Sequence, residues 1–238
     1  MHRILSGLSC YSLVLFAMGQ PPVSPVEYEW RSGSPDGIGK WYMGREISHT
    51  MDAAHAAWLD RPEREREEQP ARMMARMNVA PTDVIADIGC GTGHHAIPLA
   101  LLAREGKVYA VDIQRAMLDS VFARSLLAGC DNVEPKLGST TSPDLAPDLL
   151  DKVLMVDVYH EFDHPREMME GIVRAMKPGA LLFLVEFRGE DERVPIKPLH
   201  RMTKAQAIKE MQAAGLVHDR TWNGLPWQHF LVFRKPVA

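Results

Sequence analysis

Cysteine is scarce, with three in 238 residues, and Cys10, Cys90 and Cys130 are too few for a disulfide framework. No basic stripe is present: the net charge is −4 with both signs interspersed, which argues against a nucleic-acid substrate and against a polybasic membrane contact. Internal repeats and low-complexity tracts are absent. Histidines elsewhere than His94, His95 and His160 show no metal-ligand spacing of the H-x-x-x-H or C-x-x-C kind, so no metal is expected. Long apolar runs are confined to Ile4–Met18, which falls short of the about 20 residues a membrane span needs and is interrupted by Ser6, Gly7 and Ser9. What remains is an ordinary globular composition, 46% hydrophobic and 24% charged, long enough for one sizeable α/β domain with an extension.

The first 19 residues have a short basic start, an apolar centre and a small-x-small end at Ala17-Met18-Gly19. That is the layout of a secretory signal peptide, with export as its consequence. A mis-assigned start codon or an apolar helix docked on the domain would leave the protein cytoplasmic. From Gln20 to about Lys40 the chain is rich in proline, glycine and serine and reads as an irregular lead-in. Residues 49–59 favour a helix, and Asp60 can cap a second one, with Pro62 in its first turn and Glu63 three residues on. That second helix is expected to run through "EREREEQPARMMARMNV", its charge run at 63–68 forming a solvated face. Residues 20–80 are thus expected to be a lead-in and a helical lid.

From residue 81 strand and helix alternate. "DVIADIG", "KVYAVDI", "NVEPKLG", "DKVLMVDV" and "ALLFLVEF" are strands, the first two followed by the helices "HHAIPLALLAREG" and "QRAMLDSVFARSLLAG". "HPREMMEGIVRAM" is the helix after the fourth strand, and Lys177-Pro178-Gly179 the turn before the fifth. Thr203 caps "KAQAIKEMQAAG", and "LVHDRTW" and "QHFLVFRK" finish the chain. Short connections between such elements imply a doubly wound, mainly parallel seven-stranded sheet, with ligands at the carboxyl ends of its strands. Gly89, Gly91 and Gly93 fall where the first strand turns into the first helix. The dinucleotide fingerprint G-x-G-x-x-G would need a glycine at 94, where His94 stands, so the pattern is D-x-G-x-G-x-G.

"VIADIGCGTG", then "VYAVDI", then "DKVLMVDVYHEF" resemble the successive motifs of class I S-adenosylmethionine-dependent methyltransferases, over about residues 72 to 238. "LVEFRGED" followed by "VPIKPLH" resembles a bacterial branch of unknown substrate. The resemblance implies a Rossmann-like methyltransferase domain over 81–238 that takes S-adenosyl-L-methionine. It implies that Asp87 holds the cofactor's ammonium and that Gly89, Cys90, Gly91 and Gly93 form the turn receiving its carboxylate. Asp112 would accept the ribose hydroxyls, Ile113 would line the adenine, Gly138 and Ser139 would meet its edge, and Asp157 would lie beside the methionine portion.

Methyl transfer requires placement of a nucleophile and, where it arrives protonated, a base. His160, with Glu161 beside it, follows the fourth strand and is the candidate; its alternative is packing against the cofactor or capping the next helix. Tyr42, Arg45 and Tyr159 are candidate contacts to an acceptor expected to be a small molecule, although Tyr42 and Arg45 could equally attach the extension to the sheet. Two other functions stay open from the residues: a nucleotide-dependent oxidoreductase, and an exported binding module that retains the fold without catalysis.

Overall fold

The computed structural model describes residues 27–237. The expected signal segment, residues 1–19, lies outside them. Among the described residues no helix is long and apolar enough to cross a membrane.

Seven strands form the central sheet: β4 (Val84–Ile88), β5 (Lys107–Asp112), β6 (Val133–Leu137), β7 (Leu150–Val156), β8 (Met176–Phe187), β9 (Val217–Trp222) and β10 (Gln228–Arg234). Their order is β6-β5-β4-β7-β8-β10-β9. The first five run parallel, and β10 inserts antiparallel between β8 and β9. The doubly wound, mainly parallel sheet expected from the alternating pattern is therefore present. Its strand order reverses between β4 and β7, and that crevice is where such a sheet offers a ligand site. Helices α3 (Ala96–Leu102), α4 (Arg115–Ala128), α5 (Pro165–Ala175) and α6 (Lys204–Ala213) cover the sheet. Apolar clusters fill both of its faces: Ile85, Leu99, Val121 and Phe230 belong to one, Leu150, Ile172, Met211 and Phe233 to the other.

Local signals explain the helix ends. The Thr203 hydroxyl accepts from Gln206 N at 3.2 Å and starts α6 where it was expected. Gly129, at φ +66°, closes α4 in the left-handed conformation. Lys177-Pro178-Gly179 is not a separate turn: β8 already begins at Met176, and Gly179 N bonds the Lys235 carbonyl at 2.9 Å. Helix α3 is also shorter than expected, because residues 92–95 are taken up in turns.

The extension differs most from expectation. Where an irregular lead-in and a long helical lid were expected, it begins with a three-stranded antiparallel sheet, β1 (Glu29–Trp30), β2 (Gly37–Tyr42) and β3 (Arg45–Ser48). Met43 and Gly44, both at positive φ, make a two-residue connection between β2 and β3. A 3-10 turn at Ala53–Trp58 follows, then two short helices, α1 (Arg64–Glu67) and α2 (Pro70–Ala75). Gln69, at φ +53°, and Pro70 interrupt what the charge pattern suggested was one helix. Asp60 caps neither; it accepts from the Thr92 hydroxyl at 3.0 Å and pairs with Arg124. Nor is the 63–68 run uniformly solvated, since Arg64 and Glu68 are buried against each other at 2.6 Å.

Candidate active site

The carboxyl ends of β4, β5 and β7 open into a cavity of about 690 Å³. Gly89, Gly91 and Gly93 all have positive φ, at +68°, +51° and +86°, so the β4–α3 connection coils in a conformation that side chains with a Cβ resist. The chain's own packing also needs them bare. A Cβ at 89 would lie 2.3 Å from Val158 Cγ2, and one at 91 would lie 2.6 Å from Leu59 Cδ1. Leu59 comes from the extension, which therefore seals this turn from above.

Asp112, at the end of β5, holds the turn in place. Its Oδ2 accepts from Gly91 N at 3.0 Å and its Oδ1 from Gln114 N at 2.9 Å, and it lines the cavity with Cys90 and Ile113. Burial raises its carboxyl above the ordinary range against those backbone donors. Gly138 and Ser139, after β6, lie on the same wall. Asp87 sits behind the glycine turn rather than on the cavity surface, and its buried Oδ2 has no hydrogen-bond partner among the described residues. Burial pushes its carboxyl up to about 7, with Arg64 pulling down and Asp112 pushing up. Asp157, past the end of β7 at φ +48°, does line the cavity. Gln228 Nε2 donates to its Oδ2 at 2.6 Å, while its buried Oδ1 is also unpartnered. Burial drives the Asp157 carboxyl far up, aided by the charges of Glu68 and Glu186.

His160 and Glu161 follow β7 in a 3-10 turn, Tyr159–Glu161, and both line the cavity. His160 Nδ1 lies 2.7 Å from Glu186 Oε2, and its Nε2 lies 3.2 Å from His200 Nδ1. Burial opposes the imidazolium, but the Glu186 charge outweighs it and raises the His160 pKa. His200 moves the other way, to about 4, through burial and the neighbouring His160. Glu161 accepts from Met51 N at 3.1 Å and is raised by burial to about 7.

Tyr42, Arg45 and Tyr159 do not line the cavity. Arg45 donates to Glu210 at 2.7 and 3.1 Å and to the His160 carbonyl at 2.9 Å, so it fastens the extension to α6. Tyr159 is buried and donates its hydroxyl to the same carboxylate at 2.8 Å. Tyr42 is buried against Tyr28. These three side chains pack the extension in place, outside the cavity lining. Several site groups went unnoticed in the sequence: Arg64, Glu68, Gln114, Glu186, His200 and Gln228. A lone glutamate within the apolar "ALLFLVEF" was the available signal for Glu186, which is fully buried.

Comparison with known proteins agrees with this geometry. Residues 85–179 match a methyltransferase domain family. A SAM-dependent methyltransferase from Aquifex aeolicus has the same fold, with a TM-score of 0.74 at 21% identity, covering 78% of this chain and 100% of its own. A putative methyltransferase in complex with the Trm112 methyltransferase activator of Haloferax volcanii aligns with a TM-score of 0.63 at 18% identity, over 77% of this chain and 97% of that one. A protein-L-isoaspartate O-methyltransferase of Roseiflexus castenholzii is 34% identical over 79 residues, 32% of this chain, and the chain spans about a third (35%) of that relative's length. Neither an oxidoreductase nor a non-catalytic binding module finds support among these proteins. Residues 85–179 are a methyltransferase domain of the class I S-adenosylmethionine-dependent family, set in a Rossmann-like methyltransferase fold.

Proposed function

We propose that the chain transfers a methyl group from S-adenosylmethionine to a small-molecule acceptor. The observation that carries this reading is the buried, unpartnered Oδ1 of Asp157, which lines the cavity just past the end of β7, with the unpartnered Oδ2 of Asp87 behind the glycine turn. A buried acid oxygen without a donor is costly, and a ligand ammonium relieves it. Asp112, already receiving two backbone N–H groups, keeps lone pairs directed at the cavity for ribose hydroxyls. The cavity volume suits a nucleoside and a compact acceptor together.

When bound, S-adenosylmethionine supplies a methyl group on a sulfonium that departs as a neutral thioether. The chain's own contribution is to place an acceptor and exclude water, and the extension does the latter. Gln114 ties Met51 and Ala53 over the end of β5, through bonds of 2.9 and 2.8 Å. His160 and Glu161, which line the cavity, are the groups we assign to taking an acceptor's proton.

Calorimetry with S-adenosylhomocysteine tests the reading. One site per chain is expected, with Asp112→Ala weakening it by tenfold or more, since a hydrogen bond to a charged group contributes about 1.5–3 kcal/mol. Wild-type protein that ignores this ligand, or takes NAD instead, defeats the proposal. On an identified acceptor, His160→Ala should lower the rate by roughly 10²–10⁴-fold with cofactor affinity retained; an unchanged rate assigns His160 to packing.

Export is part of the same proposal, supported by the three-part pattern of residues 1–19. It sits uneasily with a methyl donor that is made in the cytoplasm. Sequencing the N-terminus of the protein from fractionated host cells decides it: a start near Gln20 outside the cytoplasm supports export, and intact Met1 in the cytoplasm refutes it.

A further inference from the structure

Glu161 and His160 share one short turn, and His200 ends the 3-10 turn Pro198–His200, forty residues from His160. The three converge on one wall of the cavity, with a ligating atom of each within 4.8 Å of the others. The two ring nitrogens stand 3.2 Å apart. Two histidines on a tetrahedral ion, with metal–nitrogen bonds near 2.0–2.1 Å, would hold their nitrogens about 3.3 Å apart. The pair is therefore already at the spacing that such an ion requires.

Glu186 supplies the support that metal-binding histidines commonly have. It is fully buried, accepts from the backbone N–H of Tyr159 at 2.8 Å and of His160 at 3.3 Å, and lies 2.7 Å from His160 Nδ1. A carboxylate there keeps the imidazole proton on Nδ1, so that the Nε2 lone pair points at His200 and the cavity. This carboxylate–histidine arrangement fixes the tautomer and the ring orientation of a ligand. Its placement behind His160 is what a hydrogen-bonded histidine pair alone does not require.

We propose that His160 Nε2, His200 Nδ1 and the Glu161 carboxylate form a binding site for a divalent first-row transition ion, with zinc the best chemical match. Two imidazoles and a carboxylate are a borderline ligand set that suits zinc and is poor for magnesium or calcium, which prefer oxygen donors. An ion replaces the His160–His200 hydrogen bond, and the neutral His200 ring carries its proton on Nε2 instead. Closing the set requires a modest rotation of Glu161, whose Oε2 accepts from Met51 N. Three protein ligands leave a fourth position, which opens toward the cavity shared with Cys90 and Asp112. A hydroxyl or thiol of an acceptor is the class of group that would coordinate there. The site does not depend on the methyl-transfer reading; with an ion bound, His160 and Glu161 serve as its ligands and no longer as free proton acceptors.

The test uses the full chain without a histidine tag, stripped with a chelator, dialysed, and titrated with zinc chloride by calorimetry. Metal content after gel filtration is measured by mass spectrometry. One zinc per chain is expected, and cobalt in its place should give visible ligand-field absorption of a tetrahedral site. His200→Ala and Glu161→Gln should each weaken zinc binding by at least tenfold. Glu186→Gln should weaken it by roughly 10–100-fold through the loss of the orienting carboxylate. Each variant's thermal unfolding is recorded alongside, and His200→Ala, which removes a half-buried ring at the end of a short turn, is the substitution least able to disturb the fold. A wild type that retains no zinc, or whose zinc binding is unchanged in folded His200→Ala, overturns the site. Zinc binding by a wild type that fails to bind S-adenosylhomocysteine upholds the site and defeats the proposed methyl transfer.

Discussion

In the parallel half of the sheet, from Val84 to Val156, each strand pairs with one nearby in the fold's own winding: β4 beside β5, β5 beside β6. In the extension, from Tyr28 to Ala75, Met73 and Met74 join an apolar cluster on the sheet, but the three-stranded part is fastened by polar contacts remote in sequence. The Tyr28 hydroxyl donates to Glu167, 139 residues away; Lys40 Nζ donates to the Asp163 carbonyl, 123 away; Arg45 bonds Glu210, 165 away. The first region is specified by local hydrophobic period and turn residues, and apolar burial holds it. The second takes its shape from what it lands on. The cavity lies between them, so each region contributes one side: the strand ends bring carboxylates, and the extension brings the cover.

The comparison breaks most sharply at Glu210. This carboxylate is fully buried and takes Arg45, the Tyr159 hydroxyl and Gln206 Nε2 together. Glu210→Ala strands the Arg45 guanidinium, whose proton that carboxylate normally holds more tightly than usual against the cost of burial. Removing one member of a buried pair typically costs about 3–5 kcal/mol. Urea unfolding should show a loss of that size, and the double variant Arg45→Met with Glu210→Met should recover most of it. A loss under about 1 kcal/mol for Glu210→Ala would mean that apolar contacts, not this pair, anchor the extension.

A second prediction concerns the strand side. The folded Asp87 carboxyl titrates near 7, against an ordinary value of 3.8, because burial disfavours its charge while Arg64 and Asp112 act in opposite senses. A raised folded pKa means that stability is greatest below the unfolded value and is lost as pH climbs through about 7. Apo protein should therefore be less stable at pH 8 than at pH 6 relative to Asp87→Asn. An ammonium needs the charged carboxylate, so S-adenosylhomocysteine should bind about tenfold more weakly at pH 6 than at pH 8, and the difference should vanish in Asp87→Asn. Calorimetry at the two pH values checks it; a pH-independent affinity in the wild type removes Asp87 from the ligand's ammonium.

How much could be read in advance follows the same division. D-x-G-x-G-x-G, the acid ending the second strand and the alternating elements all act within a short stretch of chain, and the sheet they imply is the sheet observed. The hairpin at "WYMGRE" was missed because Met-Gly is a weak turn signal beside Asn-Gly, and β2 is too short to show a clear period. Arg64 and Glu68 read as solvated because charge usually is; their contact with each other, with Arg61 on Glu68 and the Leu59 carbonyl on Arg64, makes burial tolerable. His200 and Glu186 meet His160 across 40 and 26 residues, and no spacing rule along the chain brings them together.

The smallest effect tests whether the two regions unfold as one. Gly44, in the extension hairpin, has φ +100°, and Gly215, between α6 and β9, has φ +87°. A Cβ at either position would have nothing within 4 Å, so an alanine there meets no clash and its cost is conformational alone. That cost is about 1–2 kcal/mol for a residue forced to positive φ. For a chain of this size each kcal/mol corresponds to roughly 2–4 °C in Tm. If the extension and the sheet form one cooperative unit, Gly44→Ala and Gly215→Ala should lower a single calorimetric transition by similar amounts. If the extension opens by itself, Gly215→Ala should still lower the main transition. Gly44→Ala should then leave it in place and instead speed proteolysis and hydrogen exchange within residues 27–80. The long-range bonds from Tyr28, Lys40 and Arg45 into α5, α6 and the loop before α5 favour the first outcome, because none of them can form unless the sheet side is folded.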